Sequence, residues 1–585
     1  MPLNRQRITV LGMENRHLKY KFAVTFAILT TGALLTLGAS LAYAKATIQI
    51  DPRQLDRDSI KVWIFFTDRG ESINRPAKFV AVSQPAITRR ALRANIVGAT
   101  EYDRELNIDY LAEIRPLVKR TVQQSRWLNA ISAYVDPSKL DQLSQQPCIA
   151  QIRSVATFKR SADLVDQGVI EKPLGPFPPE YGPSWAQMNQ IQIPALHDLG
   201  YKGAGIRILM MDTGFRIDHP VFANTDIEAT YDFINHDNDV QDDNQEPVQQ
   251  SHGTQTFSVV GASVENLMLG AAYEATFLLA KTEIFTDEIQ IEEDNWVAGI
   301  EWGEGLGCDV VSSSLGYTEW YSYSDMDGNT AVTTKAADIA ASLGVIVVNS
   351  IGNEQSQGNS GATLIAPSDG DSVIAAGGVN ISGDIAVFSS HGPSFDGRIK
   401  PDLCALGVGN AVANPVGNGL ATNSGTSFSC PLIASAVALL LQAEPDWGFG
   451  QIYTALTTTA TRANNPDNIF GYGIVRALDA LNYENHQSNN LVGVVAYPNP
   501  FNQVVKFDFE VPPAGVVEIR IYTIAGEKIV TLVRPAGDPA PIEWNGKNQA
   551  GEEAASGVYI ACISADGVSE TKKIFKHKEL VDSPD

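Results

Sequence analysis

Three separated segments carry a carboxylate, an imidazole and a hydroxyl in settings where each could do chemistry. The apolar run Ile206 to Met211 ends in Asp212-Thr213-Gly214. A carboxylate at a strand end, beside a glycine that lets the chain turn, is well placed to orient a histidine. His252-Gly253-Thr254 stands directly before a helix-like stretch, and Gly253 would let a partner or substrate come close to the ring. Ser427 lies in Asn423-Ser424-Gly425-Thr426-Ser427-Phe428-Ser429-Cys430-Pro431, ahead of the apolar segment Leu432 to Leu441. A helix start favours negative charge developing at a nucleophile, and Pro431 fits an early turn where a missing N–H costs nothing. Asn353, in Ile351-Gly352-Asn353-Glu354, follows another buried run, and its amide could donate to an oxyanion. Taken singly, each residue also suits a structural role: a turn cap, a packed histidine, an N-cap, a turn asparagine. Asp218, beside His219 and Pro220, is a second acid, but no strand positions it and it reads as a loop residue.

The elements that must position these groups alternate between short apolar runs and helix-like stretches. Ile206–Met211, Ala275–Ala280, Val310–Leu315, Gly344–Val348 and Val373–Ala376 read as buried strands. Gln255–Gly261, Trp296–Trp302, Lys335–Leu343 and Phe428–Gln442 read as helices between and after them. That alternation predicts an α/β fold, a parallel sheet covered by helices on both faces, with ligands at the carboxyl ends of the strands. The chemical segments fall at those ends.

Together the segments are specific. Their chain order is Asp, His, Ser, and no G-x-S-x-G elbow of the α/β-hydrolases occurs. Asp212-Thr213-Gly214, His252-Gly253-Thr254 and Gly425-Thr426-Ser427 resemble the three signature motifs of the subtilase (subtilisin-like, peptidase S8) family. Gly352-Asn353 is similar to its oxyanion asparagine, and Ser314-Leu315-Gly316 to its substrate-binding strand. The resemblance spans about 300 residues and implies a seven-stranded-type parallel sheet and a serine endopeptidase working through an acyl-enzyme. It makes Ser427 the nucleophile, His252 the general base and then acid, and Asp212 the orienting carboxylate. Asn353 would serve the oxyanion, and Ser314, Leu315 and Gly316 would pair with an extended substrate. Phe428 stands where the family usually has Met, Ser429 where it has Ala, and Tyr317 where many members have Gly. These departures bear on pocket shape. The other reading is a non-catalytic surface or adhesin protein that keeps the scaffold.

The flanks divide the chain further. Arg16, Lys19 and Lys21 precede an apolar run from Phe22 to Leu41 and then Ala42-Tyr43-Ala44, which reads as a secretory signal peptide over residues 1–44; Met13 is an alternative start and an uncleaved anchor the competing reading. No later stretch reads as long and apolar enough to span a membrane. Residues 45–165 read as an α+β unit, with strands at Lys61–Phe66, Ser132–Tyr134 and Ile149–Val155 and a short helix at Leu140–Leu143. Ser125-Arg126-Trp127-Leu128-Asn129-Ala130 and the run to Val155 resemble the inhibitory prodomain of secreted subtilases from Bacteroidetes-like bacteria. A permanent accessory domain is the alternative. Residues 166–182 form a Gly- and Pro-rich linker, exposed by expectation, 183–484 the catalytic domain and 485–491 a second linker. Residues 492–585 show short strands and turns, a β-sandwich. Its Tyr497-Pro498-Asn499-Pro500-Phe501, Trp544-Asn545-Gly546 and Ser556-Gly557-Val558-Tyr559 resemble FlgD-type and type IX secretion sorting domains.

The 43 basic and 67 acidic residues give a net charge of −24, which argues against nucleic acid as a partner. Expected partners are protein or peptide substrates, the chain's own prodomain as an intramolecular inhibitor, and secretion machinery; the expected location is outside a bacterial cell or on its surface. No cofactor is required. Calcium is possible as a structural ion at Asp237, Asp239, Asp242 and Asp243, although the spacing is not that of an EF-hand and a solvated loop is the competing reading. Glu283, Glu288, Glu292 and Asp294 form a second acidic patch with the same two readings. Five scattered cysteines are too few for a disulfide framework; Cys404 and Cys430 read as buried thiols or as one bridge.

Overall fold

The computed structural model describes residues 45–50, 55, 57–70, 78–155, 178, 180–241, 249–284, 293–318, 321–355, 361–483, 494–499, 501–508, 516–523, 528–535, 540–565 and 568–576. The leader, most of the first linker, all of the second, Asp242 and Asp243 lie outside them.

Seven parallel strands form the central sheet. From one edge they run Leu403–Leu406, Val373–Val379, Ile346–Ser350, Val310–Ser313, Arg207–Asp212, Thr276–Lys281 and Asp226–Asp232. Apart from the half-exposed edge strand Asp226–Asp232, the strands are buried on both sides because successive residues feed opposite cores. Ile208 and Met210 pack with the helices Ser251–Gly261 and Thr426–Ala443, through Phe257, Val260, Phe428 and Leu432. Leu209 and Met211 pack with Glu293–Leu306 and Val332–Ser342, through Trp296, Ile300, Ala336 and Ala340. Each Leu, Ile, Val, Met or Phe side chain so removed from water contributes roughly 1.5–3 kcal/mol. Thr426–Ala443 is in fact long and apolar enough to cross a membrane, which the sequence reading did not anticipate. It lies 89% buried inside the protein, so its apolarity is that of a core helix.

The N-terminal unit is a five-stranded sheet in the order Thr47–Gln49, Ile149–Ser154, Ile60–Phe66, Ala130–Val135, Arg120–Ser125, antiparallel except for the first pair. Period-two alternation again splits its faces. Val62 and Ile64 face its own core with Leu106, Ile114 and Leu143. Trp63, with Trp127 and Val155, joins the core of Trp296 and Ala336, so this sheet shares a hydrophobic core with the two helices beneath it. A helix at Gln84–Arg93, unanticipated from sequence, lies between its strands in the chain.

The C-terminal part is a β-sandwich. A three-stranded antiparallel sheet (Val495–Tyr497, Val505–Asp508, Ile542–Trp544) meets a four-stranded one (Lys528–Arg534, Val517–Thr523, Gly557–Ala565, Val568–Lys576). Val505, Phe507 and Trp544 pack against Ile519, Ile521, Tyr559 and Ile563 between them.

The exposed-linker reading fails at its end: Tyr181 is buried and stacks on His197, with ring centroids 5.7 Å apart. All five cysteines are free thiols; Cys404 and Cys430 are buried and unbridged.

Candidate active site

Asp212 closes its strand and is 1% exposed. A carboxylate so buried needs several donors. His252 Nδ1 lies 2.6 Å from its Oδ1, which also accepts the Thr213 backbone N–H at 2.7 Å. Thr256 Oγ1 donates to Oδ2 at 2.9 Å. His252 and Thr256 are four residues apart on one helix and therefore share a face, which delivers both to the same carboxylate. Thr256 was not anticipated; its spacing from His252 was the available signal.

Gly253 has a different use from the expected one. A Cβ there would sit 2.1 Å from the Gly214 carbonyl oxygen and 3.0 Å from Asp212 Cβ. The close approach is made by the Asp212 strand end itself, so Gly253 allows the helix to dock on the carboxylate.

Ser427 is the second residue of the buried helix Thr426–Ala443. That helix packs on the His252 helix, and the ring of Phe428 lies 6.2 Å, centroid to centroid, from the imidazole. The fold thus brings Asp212, His252 and the Ser427 turn into one region. Asn353 joins them through its carbonyl end: Oδ1 accepts the Thr426 N–H at 2.9 Å and the Thr426 hydroxyl at 3.0 Å. Those two bonds set the amide plane, with Nδ2 at its other end.

Ser314 Oγ donates to the Ser427 carbonyl at 2.8 Å, tying the Ser314–Gly316 segment to the helix start. The Leu315 carbonyl accepts from Asn349 Nδ2 at 2.9 Å, inside the protein. Leu315 itself is 4% exposed and belongs to the core.

The family departures lie behind the site. Phe428 and Ser429 are fully buried, and Ser429 Oγ donates to the Ala405 and Leu406 carbonyls at 3.2 Å. Tyr317 is buried too, its hydroxyl donating to Glu283; burial and then that carboxylate raise it well above the ordinary tyrosine range. All three are buried side chains. Burial likewise pushes the Cys430 thiol up to about 12, leaving it neutral, with Sγ on the Ser313 and Val348 carbonyls at 3.4 Å.

The acidic patches separate. Asp237 and Asp239 accept the N–H groups of Asp239 and Gln241 at 2.9 and 3.0 Å, as turn residues do. Among the described residues no cluster of three or more His, Cys, Asp or Glu could hold a metal. The second patch is not a solvated loop where it is described. Glu283 is 1% exposed, and Asp294 is fully buried, 3.0 Å from Lys61 Nζ and 2.6 Å from Ser132 Oγ of the N-terminal unit. Asp218 is an exposed loop residue paired with Arg216 at 3.2 Å.

The subtilase family profile matches residues 203–473, a Bacteroidota peptidase S8 propeptide domain residues 61–167, and a secretion system C-terminal sorting domain residues 495–577. Subtilisin of Bacillus pumilus is 31% identical over 276 residues, covering 47% of this chain and 90% of that protein. Subtilisin E of Bacillus subtilis (strain 168) is 29% identical over 355 residues, 60% of this chain and 81% of its own. An alkaline protease of Shouchella clausii is 27% identical over 349 residues, 59% and 78% respectively. The protein is a serine-type endopeptidase made with a propeptide, and its sorting domain marks it for secretion and attachment at the cell surface. A strand-end carboxylate holding an imidazole beside a serine-bearing helix start, with these relatives, leaves one assignment: the chain belongs to the subtilase family.

Proposed function

We propose that this protease cleaves internal peptide bonds through an acyl-enzyme on Ser427. The observation that carries the reading is the 2.6 Å contact between His252 Nδ1 and Asp212 Oδ1, which commits Nδ1 to the carboxylate and leaves Nε2 as the ring's basic nitrogen. Ser427 Oγ transfers its proton to His252 Nε2 as it attacks the scissile carbonyl. The imidazolium is stabilised by Asp212 and then protonates the leaving amine. Water repeats the sequence in reverse to release the acid product. The Asn353 Nδ2 donor and the Ser427 backbone N–H receive the oxyanion, and the Asn353–Thr426 bonds hold that amide before substrate arrives. The Ser314–Gly316 segment pairs with the substrate main chain as an added strand. No cofactor enters the scheme.

The N-terminal unit is read as the intramolecular inhibitor, removed on maturation. Its shared core with the helices Glu293–Leu306 and Val332–Ser342 supports that reading. A fluorophosphonate probe should label the matured enzyme at Ser427 alone, and Ser427→Ala should abolish both casein hydrolysis and prodomain removal. Labelling at another residue, or undiminished turnover of the variant, would overturn the mechanism.

A further inference from the structure

The helix Gln84–Arg93 is built inside out. Ile87 and Leu92 are 39% and 51% exposed, while Arg89 and Arg90 are 2% and 1% exposed. Guanidinium groups are buried only where a matching set of acceptors waits. Here the acceptors come largely from the catalytic domain. Arg90 Nε and Nη2 bond the two oxygens of Glu304 at 2.8 and 2.7 Å, and its fork also grips Asp103 of its own unit at 2.7 and 2.8 Å. Arg89 pairs with Glu304 as well. It then reaches the carbonyls of Cys308 at 2.5 Å and Leu343 at 3.3 Å.

Those two carbonyls sit just past the C-terminal ends of Glu293–Leu306 and Val332–Ser342. Helix C-termini carry unsatisfied carbonyls and the negative end of the dipole, so two of them beside a buried carboxylate make a socket for cations. Arg93 completes the contact, with Nη1 2.9 Å from Asp309 Oδ1 and Nε 2.9 Å from the Pro445 carbonyl. The surfaces are also shaped for each other: a Cβ on Gly307, whose φ is +95°, would lie 2.5 Å from Pro85 Cβ.

The socket lies away from the chemistry. Asp309 Oδ2 accepts the backbone N–H of Arg207, the first residue of the strand that ends in Asp212. Five strand steps separate those residues, roughly 17 Å. No substrate bound along Ser314–Gly316 needs this site.

We infer that Glu304, Asp309 and the carbonyls of Cys308 and Leu343 form an exosite at the amino end of the strand Arg207–Asp212, that its occupant is the prodomain helix Gln84–Arg93, and that this clamp sets how long the severed prodomain stays on the enzyme. The inference rests on the inhibitory reading of the prodomain. It adds a second anchor, separate from the sheet that packs over the two helices, and an acidic socket that stands open once the prodomain has gone.

The test uses the full-length zymogen carrying Arg89→Gln and Arg90→Gln. After autoprocessing, prodomain retention is followed by gel filtration and turnover by a peptide substrate. The expected result is release at least about tenfold faster than wild type, since breaking buried ion pairs acts mainly on dissociation. The matured enzyme, whose own sequence is unchanged, keeps its kcat/KM. Should the double variant fail to fold, Arg93→Gln leaves the buried pair intact and should still shorten retention several-fold. Wild-type retention times in the variant that folds would overturn the exosite. Because retention and turnover are read separately, a bound prodomain beside full turnover would remove the inhibitory reading alone.

Discussion

Buried carboxylates organise both the catalytic region and the prodomain contact, and they are satisfied in opposite ways. Asp212 is met by an imidazole, a backbone N–H and a threonine hydroxyl, all from its own domain and two of them on one helix face. Asp294 and Glu304 are met by the charged side chains of Lys61, Arg89 and Arg90, which arrive from the N-terminal unit, and Glu301 by Ser125 Oγ and the backbone of 126–127. Satisfaction from within is permanent and suits a group that must keep one orientation through every turnover. Satisfaction across a boundary holds only while both sides are present, because a buried charge stripped of its partner is strongly unfavourable. The first arrangement preorganises chemistry. The second makes a contact that is tight and also complete or absent.

Four measurements sharpen or break that contrast. The largest effect on turnover is expected at Asn353: Asn353→Ala should lower kcat by about 10²–10³ with little change in KM, because in the proposed mechanism the lost donor acts only on the developing oxyanion. A rise in KM at constant kcat would place Asn353 in substrate binding instead. Next, Lys61→Met in a Ser427→Ala zymogen leaves Asp294 buried without its cation and should cost about 3–5 kcal/mol in denaturant unfolding. Adding Asp294→Asn should recover much of the loss; no recovery would mean that Lys61 acts through packing.

The third is a pH dependence. Burial under the prodomain raises the Glu301 carboxyl to about 6, against the partial opposition of Arg126 and the donors of Ser125 and Trp127. In the freed enzyme, open to water, it should return toward its ordinary value. The docked form therefore prefers protonated Glu301. Its contribution to docking is complete below the ordinary glutamate range and is lost as pH rises through about 6, a change of roughly thirtyfold in prodomain affinity. Glu301→Gln should flatten that dependence, and an unchanged profile would assign it to other groups. The smallest effect is Thr256→Val, which removes one of the hydrogen bonds to Asp212 and should lower kcat a few-fold, corresponding to roughly 0.5–1.5 kcal/mol. A loss as large as that of Asn353→Ala would make Thr256 part of the orienting machinery on a par with Asp212.

The central strands and four core helices were legible because their side chains obey one simple rule, apolar where buried. Elements that break the rule were missed. Asp226–Asp232 is an edge strand with half-exposed side chains and charges at both ends, so it shows no apolar run. Leu403–Leu406 is a four-residue apolar run closed in by Pro401-Asp402 and Gly407, and it was not singled out. Gln84–Arg93 inverts the usual amphipathic order, and a reading by apolar periodicity cannot see a helix that buries its arginines. Burial of Asp294 and Glu283 was hidden in the same way: the sequence offered a calcium site or a solvated loop there, and no reading of a buried acid.

The amino-acid order alone determined the chemistry available to this protein: a carboxylate closing a buried strand, a histidine and a serine at helix starts, and an asparagine after another strand, in the sequence a subtilase uses. Those are local facts, set by residue type and by the turn or helix start each occupies. Which acids are buried, which cations meet them and from how far along the chain was decided only in three dimensions. Lys61 and Asp294 are separated by 233 positions and Arg89 and Glu304 by 215, and no local pattern records a pairing whose sole cause is that two folded surfaces exclude the same water.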